Sequence, residues 1–297
     1  MQTSTVVANR GRLLSIFPHH LGAGRYDRRM PRLQRVVATG VLIAGLSAIA
    51  QADDPILREQ RSLPVAGVKE TWQLVWEEPP QPACGPEDVA MAITCPCAGT
   101  AYGEAGKLAL VRKRDAQEVE RMELSPLFGQ FDGPPDVDGM ATLIRWPMLD
   151  GDLARENKDD PTLIAEIKRR PAPMIMRFAD YDHDGAETEF LLPIGTLPCS
   201  KVQYAAIGVS AAEPHLHVLG STAHPEAALA MPLPAWHALL VKPGSSTVEL
   251  WACGDHGSDQ RSELIVSAGK DGIRAHERDF SCPEDGSAAK LLQESDW

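Results

Sequence analysis

Short runs of strand-forming residues, bounded by turn-forming residues, constrain the fold of this chain more than any other feature. The clearest are 73–76, Gln-Leu-Val-Trp, and 108–111, Leu-Ala-Leu-Val. Such runs recur at 70–76, 89–94, 107–112, 118–124, 141–146, 174–178, 189–194, 202–209, 215–219, 247–252, 263–268 and 273–280. Many short strands at a spacing of about 8–12 residues favour a sandwich, barrel or propeller over a βαβ fold. The sequence therefore predicts a β-rich fold of antiparallel strands, propeller-like or sandwich, stapled by disulfides.

Helical signals are few and short. A proline precedes the run 162–168, where basic residues at the end also favour a helix. A short helix is expected at 236–241, after Pro232 and Pro234, and a frayed helix at 287–297. We therefore expect only a few short helices beside the strands.

The chain divides by composition into a lead, a β-rich domain and a tail. Residues 53–68 are polar and contain prolines, so we expect an irregular lead. The β-rich domain is predicted at 69–285 and the tail at 286–297. The proline- and acid-rich segment 129–139 is predicted to be a loop or a boundary between two halves.

The N-terminal region has the three parts of a secretory signal peptide. Four arginines at 28–35 precede the apolar stretch 36–50, which ends in an A-x-A site at Ala50-Gln51-Ala52. This stretch is shorter than a comfortable membrane span, although a retained N-terminal anchor is the alternative.

A start at Met30 would make residues 1–29 an upstream extension and residues 30–52 the signal peptide. Cleavage would leave Asp53 as the first residue of a periplasmic or secreted protein. No membrane span is expected after cleavage.

The mature protein is expected to be strongly acidic. The whole chain has a formal net charge of −12, and residues 1–52 carry seven arginines and one aspartate, which leaves 22 basic residues against 40 acidic. This charge repels nucleic acid and anionic lipid, so we exclude both as partners. It suits a protein that meets cations outside the cytoplasm.

All six cysteines follow the predicted cleavage site. An even number behind an export signal favours disulfides, and six cysteines allow fifteen pairings. Cys253 ends one predicted strand and Cys282 ends the region of the next two, so a Cys253–Cys282 bridge is expected there. Instead of forming disulfides, the close pair Cys95 and Cys97 could form a soft-metal or redox site. The cysteines are Cys84, Cys95, Cys97, Cys199, Cys253 and Cys282.

One acidic segment carries the clearest chemical signal. Residues 180–185 read Asp-Tyr-Asp-His-Asp-Gly, and Ala186, Glu187, Thr188 and Glu189 follow. Calcium needs about 6–8 oxygen ligands, which alternately spaced carboxylates supply when a loop curls around the ion. A glycine at the sixth position allows the turn. The segment predicts a calcium loop, and an acidic hairpin turn without an ion is the alternative.

This segment resembles the calcium loops of FG-GAP and VCBS repeats, which follow a D-x-D-x-D-G-x-x-[DE] pattern and connect strands in β-propeller proteins. Asp180, Asp182 and Asp184 match the first three ligand positions. Gly185 matches the glycine, and Ala186 would offer its carbonyl oxygen. The resemblance covers about a dozen residues and implies calcium as the ligand.

The end of the segment departs from that pattern. Thr188 stands where the final carboxylate is expected, and Glu187 and Glu189 lie on either side as alternatives. An EF-hand-like reading fits less well, because Leu191 stands where that loop has its bidentate glutamate.

A second candidate is the pair His215 and His217. Residues two apart on a strand face the same side, so both imidazoles could reach one zinc ion. His224, Asp255 or His256 could complete such a site. The spacing matches no established catalytic zinc motif.

No nucleophile motif such as G-x-S-x-G is present. The sequence therefore predicts an exported calcium-binding protein in which the ion is structural. We expect a binding or interaction module without catalysis, whose partner is an extracellular or periplasmic protein or glycan. The alternative is a zinc-dependent hydrolase that uses His215 and His217.

Overall fold

Antiparallel strands dominate the computed structural model, which describes residues 54–83, 103–128, 140–156, 158, 160–197, 201–241, 244–269, 271–283 and 287–297. The strands are β1 (Ile56–Val65), β2 (Val68–Trp76), β3 (Gln81–Ala83), β4 (Gly103–Gly106), β5 (Leu108–Arg114), β6 (Gln117–Glu123), β7 (Ala141–Ile144), β8 (Phe190–Leu197), β9 (Lys201–Gly208), β10 (His217–Val218), β11 (Met231–Pro232), β12 (Ser246–Trp251), β13 (Gln260–Gly269), β14 (Gly272–Ser281) and β15 (Leu291–Asp296). The α-helices are α1 (Asp152–Glu156), α2 (Leu163–Ile167) and α3 (Leu233–Val241). The predicted β-rich fold with a few short helices is confirmed.

The strands form four sheets within the described residues. Their orders are β1-β2-β5-β6, β3-β4-β7 and β12-β13-β14-β15, and in the fourth sheet β9 pairs with β8, β10 and β11. Two hairpins of the first sheet close through two-residue turns at Ala66-Gly67 and Asp115-Ala116. All four turn residues have positive φ angles of 47° to 79°, as type I′ turns require.

Strand β1 corrects the prediction of an irregular lead at 53–68. It is an edge strand, so Pro64 removes no hydrogen bond that the sheet needs. Leu63 and Val65 are buried, and the carboxylate of Glu59 accepts hydrogen bonds from the backbone N–H groups of residues 175 and 176. The polar residues of this segment are therefore those of an edge strand, which is held in place by contacts of its side chains.

Strand β9 lies between two hydrophobic cores. Its successive residues point to opposite faces, as the strand period of two requires. Ala205 and Ile207 pack into one core with Trp72, whereas Ala206 packs into a second core with Trp236. The first core is formed largely by the first sheet and β8, and the second by α3 and the β12–β15 sheet.

The C-terminal sheet carries the disulfide that the sequence predicts. Cys253 and Cys282 are bonded to each other, which confirms that pairing. The tail at 287–297 contains β15, which pairs with β14, so the expected helix there is wrong. The indole N–H of Trp297 donates to Glu277 on β14 at 2.8 Å, and such side-chain anchoring favours strand pairing over a frayed helix.

The two other helix predictions are confirmed within a few residues of their bounds. Helix α2 lies inside the expected 162–168, and α3 includes 236–241 but begins earlier, with Pro234 in its first turn where no N–H is needed. None of the helices in the described residues has the length and apolar character that a membrane crossing needs. Several predictions fall outside the described residues: 1–29, 30–52, 89–94, 129–139, Asp53, Cys84, Cys95, Cys97 and Cys199.

Candidate metal site

The acidic segment forms a closed loop immediately before β8. An isolated antiparallel bridge joins Ala179 to Glu189, with backbone N–O distances of 2.8 and 3.3 Å. Between these residues the chain turns through His183 at φ 61° and Gly185 at φ 94°. The left-handed backbone at these two positions lets the loop curl back on itself.

Three carboxylates of this loop converge. The nearest oxygens of Asp180, Asp182 and Glu189 all lie within 4.8 Å of one another. Two oxygens that bind one calcium ion at about 2.4 Å are at most about 4.8 Å apart, so this spacing fits a shared cation. The donor set is oxygen only, which is the chemistry that calcium prefers.

Asp180 leaves one oxygen without a hydrogen bond. Its Oδ2 accepts from the backbone N–H of Gly185 at 3.1 Å. Its Oδ1 is shielded from solvent and accepts no hydrogen bond from any described residue. A buried carboxylate oxygen without a donor is costly, and a cation would satisfy it.

Glu189 is the fully buried member of the cluster. Its Oε1 accepts from the hydroxyl of Thr188 at 2.8 Å, and its Oε2 accepts from the backbone N–H of Tyr181 at 3.0 Å. Burial raises the pKa of Glu189 to about 8, and the charges of Asp182 and Asp184 add to the effect. Its two hydrogen bonds act in the opposite direction.

Asp182 shares this environment. Burial raises the pKa of its carboxyl, and the neighbouring charges of Asp184 and Asp180 raise it further, although the backbone N–H of Asp184 donates to its Oδ1 at 3.0 Å. Ionisation of all three crowded carboxyl groups is therefore unfavourable without a cation. A bound divalent cation would remove that cost.

The two other acidic residues of the predicted ligand set, Asp184 and Glu187, lie outside the cluster. Asp184 is exposed, and its two oxygens accept from the backbone N–H groups of Ala186, at 2.8 Å, and of Ala211. Ala186 and Glu187 are also exposed. Of the two alternative late acidic residues, the structure brings Glu189 to the cluster and leaves Glu187 in solvent.

Two residues outside the predicted ligand set, Thr188 and Gly208, determine where Glu189 lies. The hydroxyl oxygen of Thr188 lies 2.8 Å from Oε1 of Glu189 and 2.7 Å from the carbonyl oxygen of Val209, so its single proton is shared between these two acceptors. A Cβ added at Gly208 would lie 2.4 Å from the carbonyl oxygen of Thr188 and 2.8 Å from Cα of Glu189. Gly208 lies about twenty residues further along the chain, so no local pattern in the loop indicates its role.

The loop is also fixed to helix α3. Tyr181 is buried and makes an edge-to-face contact with Trp236, with ring centroids 5.5 Å apart. Nε2 of His183 lies 2.8 Å from the carbonyl oxygen of Leu239, in the last turn of α3. The acidic loop thus joins β8, the segment at 209–211 and α3.

His215 and His217 do not both lie on one strand, as the zinc-site prediction required. Strand β10 begins at His217, so His215 lies before the strand, and its side chain is 80% exposed. Nδ1 of His215 lies 3.5 Å from Glu120, and Nδ1 of His217 lies 2.9 Å from the backbone oxygen of His215.

The proposed additional zinc ligands are not gathered around that pair. Asp255 forms an ion pair with Lys201 at 2.8 Å, His224 lines a separate cavity, and the side chain of His256 lies outside the described part. Among described residues, the cluster of Asp180, Asp182 and Glu189 is the group of three or more potential metal-ligating side chains.

Comparison of the chain with protein-family models, with curated proteins and with solved structures finds no match. The chemistry of the site is therefore inferred from its own residues.

Proposed function

We propose that this protein is an exported, β-rich binding protein whose fold is stabilised by a structural calcium ion at Asp180, Asp182 and Glu189. The observation that carries the proposal is the convergence of these three carboxylates around the donor-free Oδ1 of Asp180. A cation would supply the positive charge that no described side chain supplies to that oxygen.

Calcium fits this donor set better than the alternatives. Zinc prefers nitrogen and sulfur ligands in a tetrahedral arrangement, and the cluster offers neither. Magnesium demands near-octahedral geometry at short range, whereas calcium accepts 6–8 oxygens in flexible geometry. Three carboxylates would leave positions for backbone carbonyls and water.

A structural role follows from what the loop contacts. Tyr181 packs on Trp236 of α3, and Thr188 bonds to Val209, just beyond β9. An ion that fixes Asp180, Asp182 and Glu189 would hold these elements in one arrangement. Metal binding to the folded state alone stabilises that state by mass action.

The remaining parts of the proposal rest on the sequence. The signal-peptide pattern at 30–52 supports export to the periplasm or outside the cell. The net charge of −12 supports a partner other than nucleic acid or anionic lipid. A protein or glycan remains the proposed partner.

A measurement of the metal bound to the purified protein tests the proposal. The full chain, expressed with its leader, is equilibrated by dialysis in about 1 mM calcium, because weak extracellular sites fill in that range. We expect a single equivalent of calcium per chain, measured by mass spectrometry against the dialysis buffer.

Two loop variants distinguish calcium binding at the cluster from nonspecific attraction of calcium to the acidic loop. Asp182→Asn should lose the bound calcium, whereas Glu187→Gln, which removes an equal charge from the same loop, should retain it. Equal losses in both variants would show that the cluster is not the site. Stoichiometric zinc in place of calcium would favour the hydrolase built around His215 and His217.

A further inference from the structure

A cavity of about 320 Å³ opens beside β9, and none of the described residues that line it belongs to the acidic loop. Its wall is mainly apolar and includes Leu197, Leu229, Trp297 and the alanines at 227, 228 and 230. The small alanine side chains leave space that larger side chains would fill. An apolar cavity of about 150 Å³ can already bind benzene, and small-molecule sites typically measure about 300–1,000 Å³. The size therefore suits a ligand of about ten non-hydrogen atoms.

Two polar groups beside the cavity are already bonded to the protein. The hydroxyl of Ser221 donates to the backbone oxygen of Trp297 and accepts from the N–H groups of Ala223 and His224, at 3.2 and 3.0 Å. The indole N–H of Trp297 donates to Glu277 at 2.8 Å. A hydroxyl has one donor and two acceptor sites, and an indole has one donor. Neither group therefore has hydrogen-bonding capacity left for a ligand, which would meet mainly carbon.

The charge and the extent of the lining narrow the class of ligand. No lysine, arginine, aspartate or glutamate is among the described residues that line the cavity, and the other polar residues there are Gln203 and the exposed His224. An ion in the cavity would lose hydration without gaining an opposite charge, so an uncharged ligand is favoured. Nine described residues line the cavity, whereas a stable protein interface uses about 20–30 residues from each partner. A small molecule therefore fits better than a protein.

The wall of the cavity is held in place by backbone hydrogen bonds. The N–H of Trp297 donates to the carbonyl oxygen of Ala275 on β14 at 2.9 Å, which adds to the contact of its indole with β14. The N–H of Leu229 donates to the carbonyl oxygen of Leu219 at 3.0 Å. A ligand that enters a pre-formed site does not have to order its walls, which favours binding.

We propose that this cavity binds a small uncharged hydrocarbon-like molecule, one or two rings in size. The driving force is the removal of apolar surface from water, and displacement of poorly ordered water by an apolar group adds to affinity. The ring of Trp297 gives an aromatic ligand a partner for offset or edge-to-face packing. This proposal is independent of the calcium site, because the two sites share no described residue.

Toluene, benzoate and benzylammonium test the proposal on the full chain with its Cys253–Cys282 disulfide intact. They share an aromatic ring, and only toluene is uncharged at neutral pH. We expect toluene to bind saturably with a dissociation constant of about 1 mM or tighter, and both charged probes at least about tenfold more weakly. The binding is followed by NMR titration of the Trp297 indole N–H. No saturation by toluene up to about 5 mM, or equal affinity for either charged probe, would overturn the proposal.

A substitution in the wall assigns the binding to the cavity. Ala228→Phe should fill the space and abolish the binding of toluene. Ala165→Phe adds the same ring on the exposed side of helix α2 and is the matched control, which should leave the toluene affinity unchanged. Unchanged affinity in Ala228→Phe would show that toluene binds elsewhere and that the proposal is wrong.

A measurement on the unmodified chain keeps the test decisive if Ala228→Phe fails to fold. Bound toluene should give intermolecular nuclear Overhauser effects to the methyl groups of Leu229 and Ala230, which line the cavity. Effects confined to methyl groups outside the lining would place toluene elsewhere and overturn the proposal.

Discussion

Gly208 is the residue on which the position of Glu189 depends most directly. The backbone of Glu189 and Thr188 passes so close to it that a methyl group would lie 2.4 Å from the carbonyl oxygen of Thr188. Backbone atoms cannot move aside as a flexible side chain can. The acidic cluster therefore depends on a glycine in a different strand.

Gly208→Ala should destabilise the protein by about 1–3 kcal/mol, because overpacking displaces the end of the acidic loop. The same displacement should weaken calcium binding if Glu189 is a ligand. Urea unfolding with and without calcium measures both effects. Gly269→Ala is the control, because no atom lies within 4 Å of a methyl group there, and its change should be below about 1 kcal/mol. Equal effects of the two substitutions would contradict this account of Gly208.

Asp152 is a second residue whose environment has a measurable consequence. Hydrogen bonds from the Arg170 guanidinium lower the pKa of its carboxyl to about 2, and the backbone N–H of Leu149 also donates to it. A carboxyl with a depressed pKa stabilises the fold above its unfolded value of 3.8, and this contribution is lost as pH falls toward 2.

Asp152→Asn should therefore lower the free energy of unfolding at pH 7 by about 1.5–3 kcal/mol. The difference from the wild type should shrink between pH 4 and pH 2, as the wild-type carboxyl takes up its proton. Denaturant unfolding across this range provides the measurement. A difference that stays constant with pH would mean that the ion pair with Arg170 is not its source.

Individual residues also show how much of the candidate site the sequence could predict. The alternating carboxylates predict a loop that gathers oxygens, and Asp180 and Asp182 do come together. The sequence does not decide whether Glu187 or Glu189 is the late carboxylate ligand, because the choice depends on how strand β8 packs. Asp184 instead accepts hydrogen bonds from Ala186 and Ala211, which a linear pattern does not predict.

At the scale of elements, the strand-forming runs predicted most strands but missed, among others, the edge strands β1 and β15. Strand β1 is rich in charged residues and contains Pro64, and β15 is exposed along its whole length. An edge strand needs only one paired side and can expose its side chains, so its sequence lacks a strong apolar pattern. Their pairing is decided by neighbouring strands and by contacts such as that of Trp297 with Glu277.

The disulfide of the C-terminal sheet gives an element-scale prediction. Replacing both Cys253 and Cys282 with serine opens a loop that spans a sequence separation of 29 residues. In the chain-entropy model, this loss should destabilise the protein by about 3–4 kcal/mol. Denaturant unfolding of the double variant measures the change, and the stabilisation by calcium should persist because the acidic loop lies elsewhere. A loss of less than about 1 kcal/mol would contradict the prediction.

For the whole molecule, the sequence predicts export with cleavage after Ala52. Expressed with its leader in a Gram-negative host, the protein should be recovered outside the cytoplasm with Asp53 as its first residue, since the A-x-A site directs cleavage. N-terminal sequencing of the exported protein checks this. An exported chain that still begins at Met1 or Met30 would refute it.

The stabilisation of the whole fold by calcium is the central claim, and thermal unfolding tests it most directly. The melting curve of metal-stripped protein is recorded in excess chelator and again in about 10 mM calcium. If the dissociation constant is near 0.1 mM, saturation about 100-fold above it adds about 2.7 kcal/mol, which corresponds to a rise of about 5–10 °C. Asp182→Asn should melt at the same temperature in both conditions, whereas Glu187→Gln should keep the wild-type response. Superimposable wild-type curves in calcium and in chelator would contradict the claim and leave the acidic loop as a turn without an ion.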